Sequence, residues 1–184
     1  MKTRTPTPAE MESRVARFEE LAVLDAQANS DIPVEVLDLI YVRKLKPVIG
    51  LNDQGDGPMG RSAPIVGASG ITVSYGICPP GTGPTLHAHM DTYETFTVVK
   101  SRFRFSWGDE GEHSVDLGPL DVISLPPGVS RAFMNIGDEE GVVHVVISGS
   151  NHNDAWFPSS TARKITAIDE RYLEHFKQHH LKFG

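Results

Sequence analysis

Hydrophobic residues in the middle of the chain occur in short runs that glycine and proline separate. The runs cover residues 71–78, 95–99, 102–107, 113–117, 121–125, 131–135 and 142–148. In the third run apolar and charged side chains alternate strictly, so Phe103, Phe105 and Trp107 are expected to face a core and the arginines between them to face solvent. Closely spaced strands of this kind predict a sandwich or a barrel.

Helical patterns flank this β-rich region. Residues 7–10 read Thr-Pro-Ala-Glu, which is the signature of a capped helix start, and apolar residues at helical spacing extend that prediction over residues 8–28. Residues 34–45 fit a helix or a strand, and we favour a helix. Residues 47–51 predict a short strand, and the glycine-rich residues 52–62 predict a loop.

The end of the chain returns to a helical pattern. Residues 166–169 are expected to open a last helix, which carries apolar side chains at helical spacing up to Phe176. Before that helix, Trp156 and Phe157 are expected to cover an open end of the core. Residues 108–111 and 137–141 have the composition of hairpin turns. A hairpin at the second turn would pair residues 131–135 with residues 142–148.

Composition narrows the class of protein. The 184 residues suffice for one domain with a proper core, and the 39% apolar share is ordinary for a globular protein. The net charge of −7 argues against nucleic acid as a partner. Cys78 is the only cysteine, which excludes an internal disulfide and a cysteine-based zinc site. No apolar run has the length of a membrane span, so a cytoplasmic protein is expected.

The residues with the clearest chemistry are His87, His89 and Glu94. Alternate residues of a strand point to the same face, so the two imidazoles can converge. A turn over residues 90–92 would bring Glu94 back to the same point. Two neutral imidazoles and one carboxylate suit a divalent first-row metal that keeps open positions. An isolated pair of alternate histidines is more often structural, so this interpretation needs support from the rest of the chain.

A second motif supplies that support. Gly81 precedes His87, His89 and Glu94 at a fixed spacing, and Pro126, Gly128 and Asn135 form a second frame. Together the two stretches resemble the two motifs of the cupin superfamily over residues 70–149. The resemblance implies a mainly β fold with a single double-stranded β-helix (a cupin or jelly-roll barrel). The flanking patterns add an N-terminal helical extension and a C-terminal helix. The resemblance also implies a homodimer.

The expected organisation along the chain is one structural domain in three parts. Residues 1–60 would form an N-terminal arm that packs on the barrel. Residues 61–160 would form the barrel itself, and residues 161–184 the C-terminal helix.

Three positions depart from the cupin pattern. Ser101 and Leu120 stand where glycine is expected, which affects turn geometry only, because glycine there would relieve a positive φ. Arg131 stands where cupins supply a fourth metal ligand, a histidine. An arginine remains protonated and has no lone pair to donate, so it cannot be a ligand.

Two outcomes of this replacement stay open. In the first, His87, His89 and Glu94 bind a divalent transition metal (Fe, Mn, Ni or Zn), and Arg131 anchors an anionic group of the substrate with its forked donors. In the second, Arg131 pairs with Glu94 and takes the place of the metal. Repulsion between the arginine and a metal ion does not by itself exclude the first outcome.

Three further residues are candidates for the substrate pocket. Phe96 and Phe133 could line it, but core packing is the expected role of most phenylalanines in this region. His144 would face the same side as Arg131 if residues 131–135 and 142–148 form a hairpin. A shift of one residue in register would turn it outward.

The leading hypothesis is a metal-dependent cupin enzyme that acts on a small oxygen-rich or anionic molecule by dioxygenase-like, isomerase-like or lyase-like chemistry. The alternative is a metal-free, non-catalytic cupin that binds a small ligand beside a Glu94–Arg131 ion pair. A regulatory module ranks third, because the chain is acidic and lacks a clear helix-turn-helix candidate.

Overall fold

A computed structural model describes residues 4–28, 30–51, 63–67, 69–150, 154–179 and 181–184. Most of the regular structure in these ranges is β-strand. The predicted loop over residues 52–62 lies outside them. The strands are β1 (Lys44–Gly50), β2 (Ile65–Val66), β3 (Ile71–Cys78), β4 (Tyr93–Lys100), β5 (Phe103–Trp107), β6 (His113–Leu117), β7 (Val122–Leu125), β8 (Arg131–Asn135), β9 (Gly141–Ser148), β10 (Trp156–Phe157) and β11 (Lys182–Phe183).

These strands form two layers. One layer is a six-stranded sheet in the order β2-β1-β3-β9-β4-β7, in which β1 and β2 are parallel and the other pairs antiparallel. The other contains the three-stranded sheet β6-β5-β8 and the parallel pair β10-β11. Between these two pieces, His87 forms an antiparallel bridge with Arg131 and Ala88 forms one with Trp156. The chain around His87 therefore joins the second layer together.

The main core lies between the layers. Side chains from both sheets fill it, among them Phe96, Phe103, Phe105, Phe133, Val143 and Val145. As the alternation in residues 102–107 predicts, Phe103 and Phe105 are fully buried and both arginines are exposed. The predicted strands between residues 71 and 148 are confirmed, with ends that differ by at most two residues. Strand β1 lies within the expected N-terminal arm and pairs with β3 as part of the six-stranded sheet.

The helices are shorter than the sequence pattern indicates. They are α1 (Pro8–Glu12), a 3-10 turn (Phe18–Glu20), α2 (Asp25–Ala28), α3 (Val34–Leu37), α4 (Ser159–Thr166) and α5 (Glu170–Gln178). The capping box of Thr7 and Glu10 forms as predicted. The continuous helix over residues 8–28 is wrong, because tertiary contacts hold the chain across the sheet. Phe18 packs edge-on against Tyr75, and Leu24 donates a backbone hydrogen bond to Leu45.

Both terminal segments cover one end of the barrel. A second apolar cluster joins α3 and the residues after it to the C-terminal elements, with Val36, Ile40, Phe157, Ile165, Phe176 and Leu181 among its members. The expected cover by Phe157 is confirmed, whereas Trp156 is largely exposed beneath the Lys182 ammonium. The last helix α5 begins after the N-cap Asp169, and α4 precedes it without having been predicted.

The two loops that depart from the cupin pattern adopt the conformation that glycine favours. Ser101 has a φ of 71° and Leu120 a φ of 73°, and among the described residues these are the two non-glycine positions with positive φ. Asn135 sits beside the first of them, fully buried. Its amide donates to the carbonyls of Cys78 and Glu139, and its oxygen accepts from the Ser101 hydroxyl and the Gly137 N–H. Asn135 therefore fastens two loops to the end of β3.

Candidate metal centre

The two histidines are placed by their backbone pairing. The N–H of His87 donates to the Arg131 carbonyl at 2.9 Å, and the N–H of Arg131 donates back at 2.8 Å. This bridge fixes the face that His87 presents, and His89, two residues on, presents the same face. The two rings lie 5.4 Å apart between centroids and nearly perpendicular. The predicted convergence of the imidazoles is present.

The Nδ1 atom of each imidazole lies within hydrogen-bond distance of a backbone carbonyl oxygen. His87 Nδ1 lies 2.8 Å from the carbonyl oxygen of Thr85, and His89 Nδ1 lies 3.0 Å from that of Asp154. A carbonyl oxygen only accepts, so in the neutral rings both Nδ1 atoms carry the proton and both Nε2 atoms keep a free lone pair. Carbonyl partners of this kind orient the histidines of metal sites.

Glu94 completes the cluster from β4. Its Oε2 atom lies 3.8 Å from His87 Nε2 and 3.6 Å from His89 Nε2, and all three side chains are buried. One potential ligand atom from each residue lies within 4.8 Å of the other two. Glu94 returns to the histidines because β4 begins directly after the turn at residues 90–92, as the spacing predicts.

Charge and burial set the protonation states. Desolvation lowers the pKa of His89 to about 4, despite the opposing attraction of Glu94, so this ring is neutral at pH 7. Burial also pushes the pKa of Glu94 upward, but His89, His87 and Arg131 together outweigh it and hold the pKa at about 2. Glu94 is therefore a carboxylate that faces a neutral imidazole of His89.

Arg131 lies behind this carboxylate. Its side chain is 0% exposed, and its Nε atom lies 3.2 Å from Glu94 Oε2 without the alignment of a hydrogen bond. One Nη1 hydrogen goes to the Val129 carbonyl at 3.1 Å, whereas Nε and Nη2 have no hydrogen-bond acceptor among the residues described. Burial lowers the pKa of Arg131 and Glu94 raises it, and an arginine remains cationic under such conditions.

The three residues fit a divalent transition metal. Two free Nε2 lone pairs point to one place, and the buried Glu94 Oε2 has no hydrogen-bond donor in the described part of the chain. A buried carboxylate oxygen without a donor is costly, and a bound cation removes that cost. The set matches the two-histidine, one-carboxylate facial arrangement that leaves coordination positions open. The Arg131 cation weakens such a site without removing any of its ligands.

A cavity of about 110 Å³ adjoins the cluster. Its polar end contains His87, His89 and Glu94. Apolar side chains from the barrel and from both terminal segments form most of the remaining wall, including Ile40, Phe96, Phe133, Val145, Ile147 and Phe157. Phe96 and Phe133 thus lie on the cavity wall, where the sequence hypothesis put them. Arg131 is not one of the described residues that line it.

His144 lies elsewhere. Strand β9 pairs with β3 and β4 rather than with β8, so residues 131–135 and 142–148 do not form the expected hairpin. The His144 ring packs beside Tyr75, 5.3 Å between centroids, on the outer face of the six-stranded sheet. Placing His144 in the pocket is therefore wrong, and the reason is the change of sheet across residues 136–140.

Sequence reasoning missed two contributions to the site. The carbonyls of Thr85 and Asp154 orient the histidines, but a backbone acceptor leaves no signal in side-chain identity. Part of the cavity wall comes from Ile40, Tyr41, Val42 and Leu45, and from Ala155, Phe157 and Leu181. The sequence predicted Phe157 as a cover of the core but did not connect it with the cavity.

Known proteins share the fold of this region. Residues 75–147 match the family model described as the cupin domain, and this stretch contains His87, His89, Glu94 and Arg131. No curated protein matches the chain. No described helix is long and apolar enough to cross a membrane.

Solved structures with similar folds have low sequence identity. The cupin domain of Cnp3 from Schizosaccharomyces pombe is 10% identical with a TM-score of 0.46, over 58% of this chain and 64% of that one. An uncharacterised protein with a double-stranded β-helix domain from Klebsiella pneumoniae is 22% identical with a TM-score of 0.43, over 47% and 74%. A sugar phosphate isomerase from Silicibacter pomeroyi is 23% identical with a TM-score of 0.40, over 46% and 54%.

The likeness to cupins rests on the residues and the architecture of this stretch together. The matched stretch holds both sequence motifs, and those motifs meet in space as the two walls of one site. The surrounding strands form the two facing layers of the expected barrel. Over residues 75–147 the chain is similar to the cupin superfamily.

Proposed function

We propose that the protein is a metal-dependent cupin enzyme that acts on a small oxygen-rich or anionic organic molecule. His87, His89 and Glu94 hold a divalent transition metal. The observation that carries this proposal is the convergence of two free Nε2 lone pairs on a buried Glu94 oxygen that no hydrogen bond reaches among the described residues. An ordinary pair of structural histidines would have partners on both ring nitrogens.

A bound metal would supply a Lewis acid that polarises an oxygen of the substrate. Residues of the chain orient the ligands and shape the cavity. The Thr85 and Asp154 carbonyls hold both imidazoles in the Nδ1–H form. The apolar cavity wall excludes water from the polar end, which strengthens electrostatic interactions there.

The reaction belongs, in this proposal, to the dioxygenase-like or the isomerase- or lyase-like chemistry of cupins. The identity of the metal would distinguish these types of reaction. Oxidative chemistry requires a redox-active ion such as Fe or Mn, whereas isomerisation or elimination also proceeds with Zn, which does not change its oxidation state.

Arg131 has a different role from the one first expected. The sequence suggested direct contact with an anionic substrate group, but the side chain lies behind Glu94 and off the described cavity wall. We propose that Arg131 acts through its charge, as the counter-ion of Glu94. It offsets the charge of the carboxylate at the base of the pocket.

Elemental analysis tests the metal. Protein purified without chelator is expected to contain close to one equivalent of a transition metal, and the variant Glu94→Gln to lose most of it. His113→Gln is the matched control, because His113 is exposed and lies outside the cluster. A wild-type protein with no transition metal and no uptake on addition would overturn the proposal.

The second candidate is a metal-free cupin that binds a small ligand without catalysis. The close Arg131–Glu94 contact favours it, because the arginine already neutralises the carboxylate. The variant Arg131→His separates the two. The metal-free candidate predicts a gain of metal binding from none, whereas the enzyme proposal predicts binding that is present in the wild type and becomes stronger.

The homodimer expected of a cupin remains part of the proposal. Val99, Leu120 and Val122 support it, because they expose apolar surface beside the edge strand β7. Light scattering on the purified protein tests it, and a monomer at micromolar concentration would contradict it.

A further inference from the structure

We propose that the substrate is a small carboxylate with an apolar body, rather than a sugar or another polyol. This inference rests on the proposed metal-dependent function and narrows the class of molecule that the site takes. Two independent features of the site carry it. They are the distribution of polar groups around the cavity and the balance of charge at its polar end.

Polar groups are concentrated at one end of the cavity. Glu94 and Ile147 are register partners on β4 and β9, and Phe96 and Val145 are the partners one step further along the same strands. Along β4 and β9 the wall therefore turns apolar within two residues of the carboxylate, and Ser74 on β3 is the register partner of Val145 on the other side. Phe133 packs against Phe96 from the opposite layer, with 4.8 Å between centroids.

A ligand body that enters this region meets mainly carbon. Apart from the cluster at the polar end, the lining side chains with a polar atom are Ser74 and Tyr41, among the described residues. A polyol would bring several hydroxyl groups, and each hydroxyl without a partner in such surroundings costs binding free energy. An alkyl body loses nothing there and gains from burial.

The charge at the polar end requires an anion. In the metal-free site the Arg131 cation and the Glu94 carboxylate, 3.2 Å apart, offset each other. A divalent ion would leave two uncompensated positive charges beside an apolar cavity. Isolated charge in such surroundings is unfavourable, so a ligand that carries a carboxylate is favoured over a neutral one.

The size of the cavity limits the ligand further. The volume of about 110 Å³ is smaller than an engineered apolar cavity of about 150 Å³ that holds benzene. A body of about four carbon atoms therefore fits, with its carboxylate at the open positions of the metal.

Three small probe molecules separate the contribution of the apolar body to binding from that of the carboxylate. 2-Hydroxybutanoate and 2,3-dihydroxypropanoate are both anionic and nearly equal in size, and they differ by the exchange of a terminal methyl group for a hydroxyl. Butane-1,2-diol keeps the alkyl body and lacks the carboxylate. Isothermal titration of each probe into metal-loaded protein, with metal content measured on the same sample, gives three dissociation constants.

The expected result is tightest binding of 2-hydroxybutanoate. The dihydroxy acid is expected to bind about tenfold more weakly, or about 1.4 kcal/mol, and the diol at least as weakly. Equal or tighter binding of the dihydroxy acid, equal or tighter binding of the diol, or no binding of any probe at millimolar concentration would overturn the inference.

Two variants of strand β9 test whether the cavity wall causes the preference for the alkyl acid over the dihydroxy acid. Val145→Thr keeps the shape of the side chain and adds a hydroxyl to the cavity wall between Ser74 and Phe96. We expect it to reduce the tenfold preference to about threefold or less, because the ligand hydroxyl gains a partner. Val146→Thr makes the same change on the other face of β9 and is expected to leave the preference unchanged. Equal ratios in all three proteins would contradict the assignment of this wall.

The metal measurement separates the two proposals. Absence of metal at wild-type His87, His89 and Glu94 means that the metal-dependent function is wrong. In that case the comparison of the two acids in metal-free protein still tests the apolar wall, and lack of preference overturns the inference. Normal metal content with no preference for the alkyl acid means that the function stands and the substrate class is wrong.

Discussion

The Nε atom of Arg131 lies 3.2 Å from the Oε2 atom of Glu94, so the buried carboxylate of the candidate metal site has a cation beside it. This contact makes the site neutral without a metal and less attractive to one. A histidine at the same position would add a ligand and remove a charge. The protein thus combines three candidate ligands with a fixed positive charge that repels a metal ion. The balance between these two effects on metal affinity can be measured.

Replacing Arg131 by methionine tests the balance. The variant Arg131→Met retains much of the volume and removes the charge, so metal affinity is expected to rise by at least about tenfold as repulsion disappears. Without metal the same variant leaves Glu94 buried and unpaired, so the free energy of unfolding is expected to fall by about 3 kcal/mol. Competition with a chelator and denaturation by urea measure the two effects.

An exposed ion pair provides the control for this variant. Arg104 Nε and Asp116 Oδ1 lie 2.7 Å apart on the surface. An ion pair at the surface contributes at most about 1 kcal/mol to the free energy of unfolding. Arg104→Met is therefore expected to change neither metal affinity nor stability appreciably. If Arg131→Met bound metal no more tightly than the wild type, the arginine would not be the residue that opposes the ion.

The stability of metal-free protein is expected to fall in mild acid. His89 has a pKa of about 4 when folded and an ordinary value of 6.5, so the unfolded chain binds more protons between these values. The stability that depends on neutral His89 is therefore present above pH 6.5 and is lost as the pH falls toward 4. The loss amounts to about 3 kcal/mol if the full shift is realised. Denaturation by urea at several pH values after chelator treatment measures it.

Glu94 extends the same dependence to lower pH. Its pKa is about 2 when folded and 4.5 ordinarily, so its contribution is present above pH 4.5 and is lost as the pH falls toward 2. The variant His89→Asn is expected to flatten the slope between pH 6.5 and 4, whereas His113→Gln is expected to retain it. An unchanged slope in His89→Asn would show that other groups cause the acid loss.

Leu120 offers a simple gain in stability. It has a φ of 73° and is 82% exposed, so its side chain gains little from burial while its backbone is strained. Leu120→Gly is expected to raise the free energy of unfolding by about 1 kcal/mol, after the entropy that glycine adds to the unfolded chain is deducted. Leu120→Ala keeps the strain and is expected to give no gain.

Ser101 provides the comparison. Its φ is 71°, but its hydroxyl donates to the buried Asn135 side chain at 2.9 Å. Ser101→Gly relieves the same strain and loses that hydrogen bond, so it is expected to stabilise the protein less than Leu120→Gly. A larger gain at Ser101 would mean that the hydrogen bond contributes little. Thermal and urea denaturation of both variants decide this.

The success of sequence reasoning depended on how local the determining interaction was. The strands were predictable because the alternation that buries Phe103 and Phe105 is written in adjacent residues. The convergence of the three candidate ligands was predictable because His87 and His89 share a strand face and Glu94 follows one turn. The strain at Ser101 and Leu120 was predictable because glycine was expected there, and both adopt positive φ.

Errors arose where partners distant in the chain decide the outcome. The helical pattern after Glu12 gives way because Phe18 contacts Tyr75, far along the chain. His144 was misplaced because its strand pairs with β3 and β4, which no turn composition reveals. Arg131 could be recognised as a non-ligand from its chemistry, but its position behind Glu94 depends on the backbone bridge to His87.

Phe157 contacts both His87 of the candidate metal site and Phe183 of the C-terminal segment. Its removal is therefore expected to affect metal binding and stability. Its ring stacks on His87 with 5.3 Å between centroids, and on Phe183 with 5.5 Å. Phe157→Ala is expected to lower the free energy of unfolding by about 3 to 4 kcal/mol through the cavity it leaves. It is also expected to weaken metal binding by about tenfold, because His87 loses the ring that limits its orientation.

Phe176→Ala separates these two effects. Phe176 is buried in the same apolar cluster and does not line the cavity, among the residues described, so its loss is expected to cost a similar stability and leave metal affinity unchanged. Titration of metal into both variants, under conditions where each is folded, measures the difference. Equal losses of metal affinity would mean that general loosening of the cover is responsible. A loss confined to Phe157→Ala would show that the C-terminal segment holds a metal ligand in place.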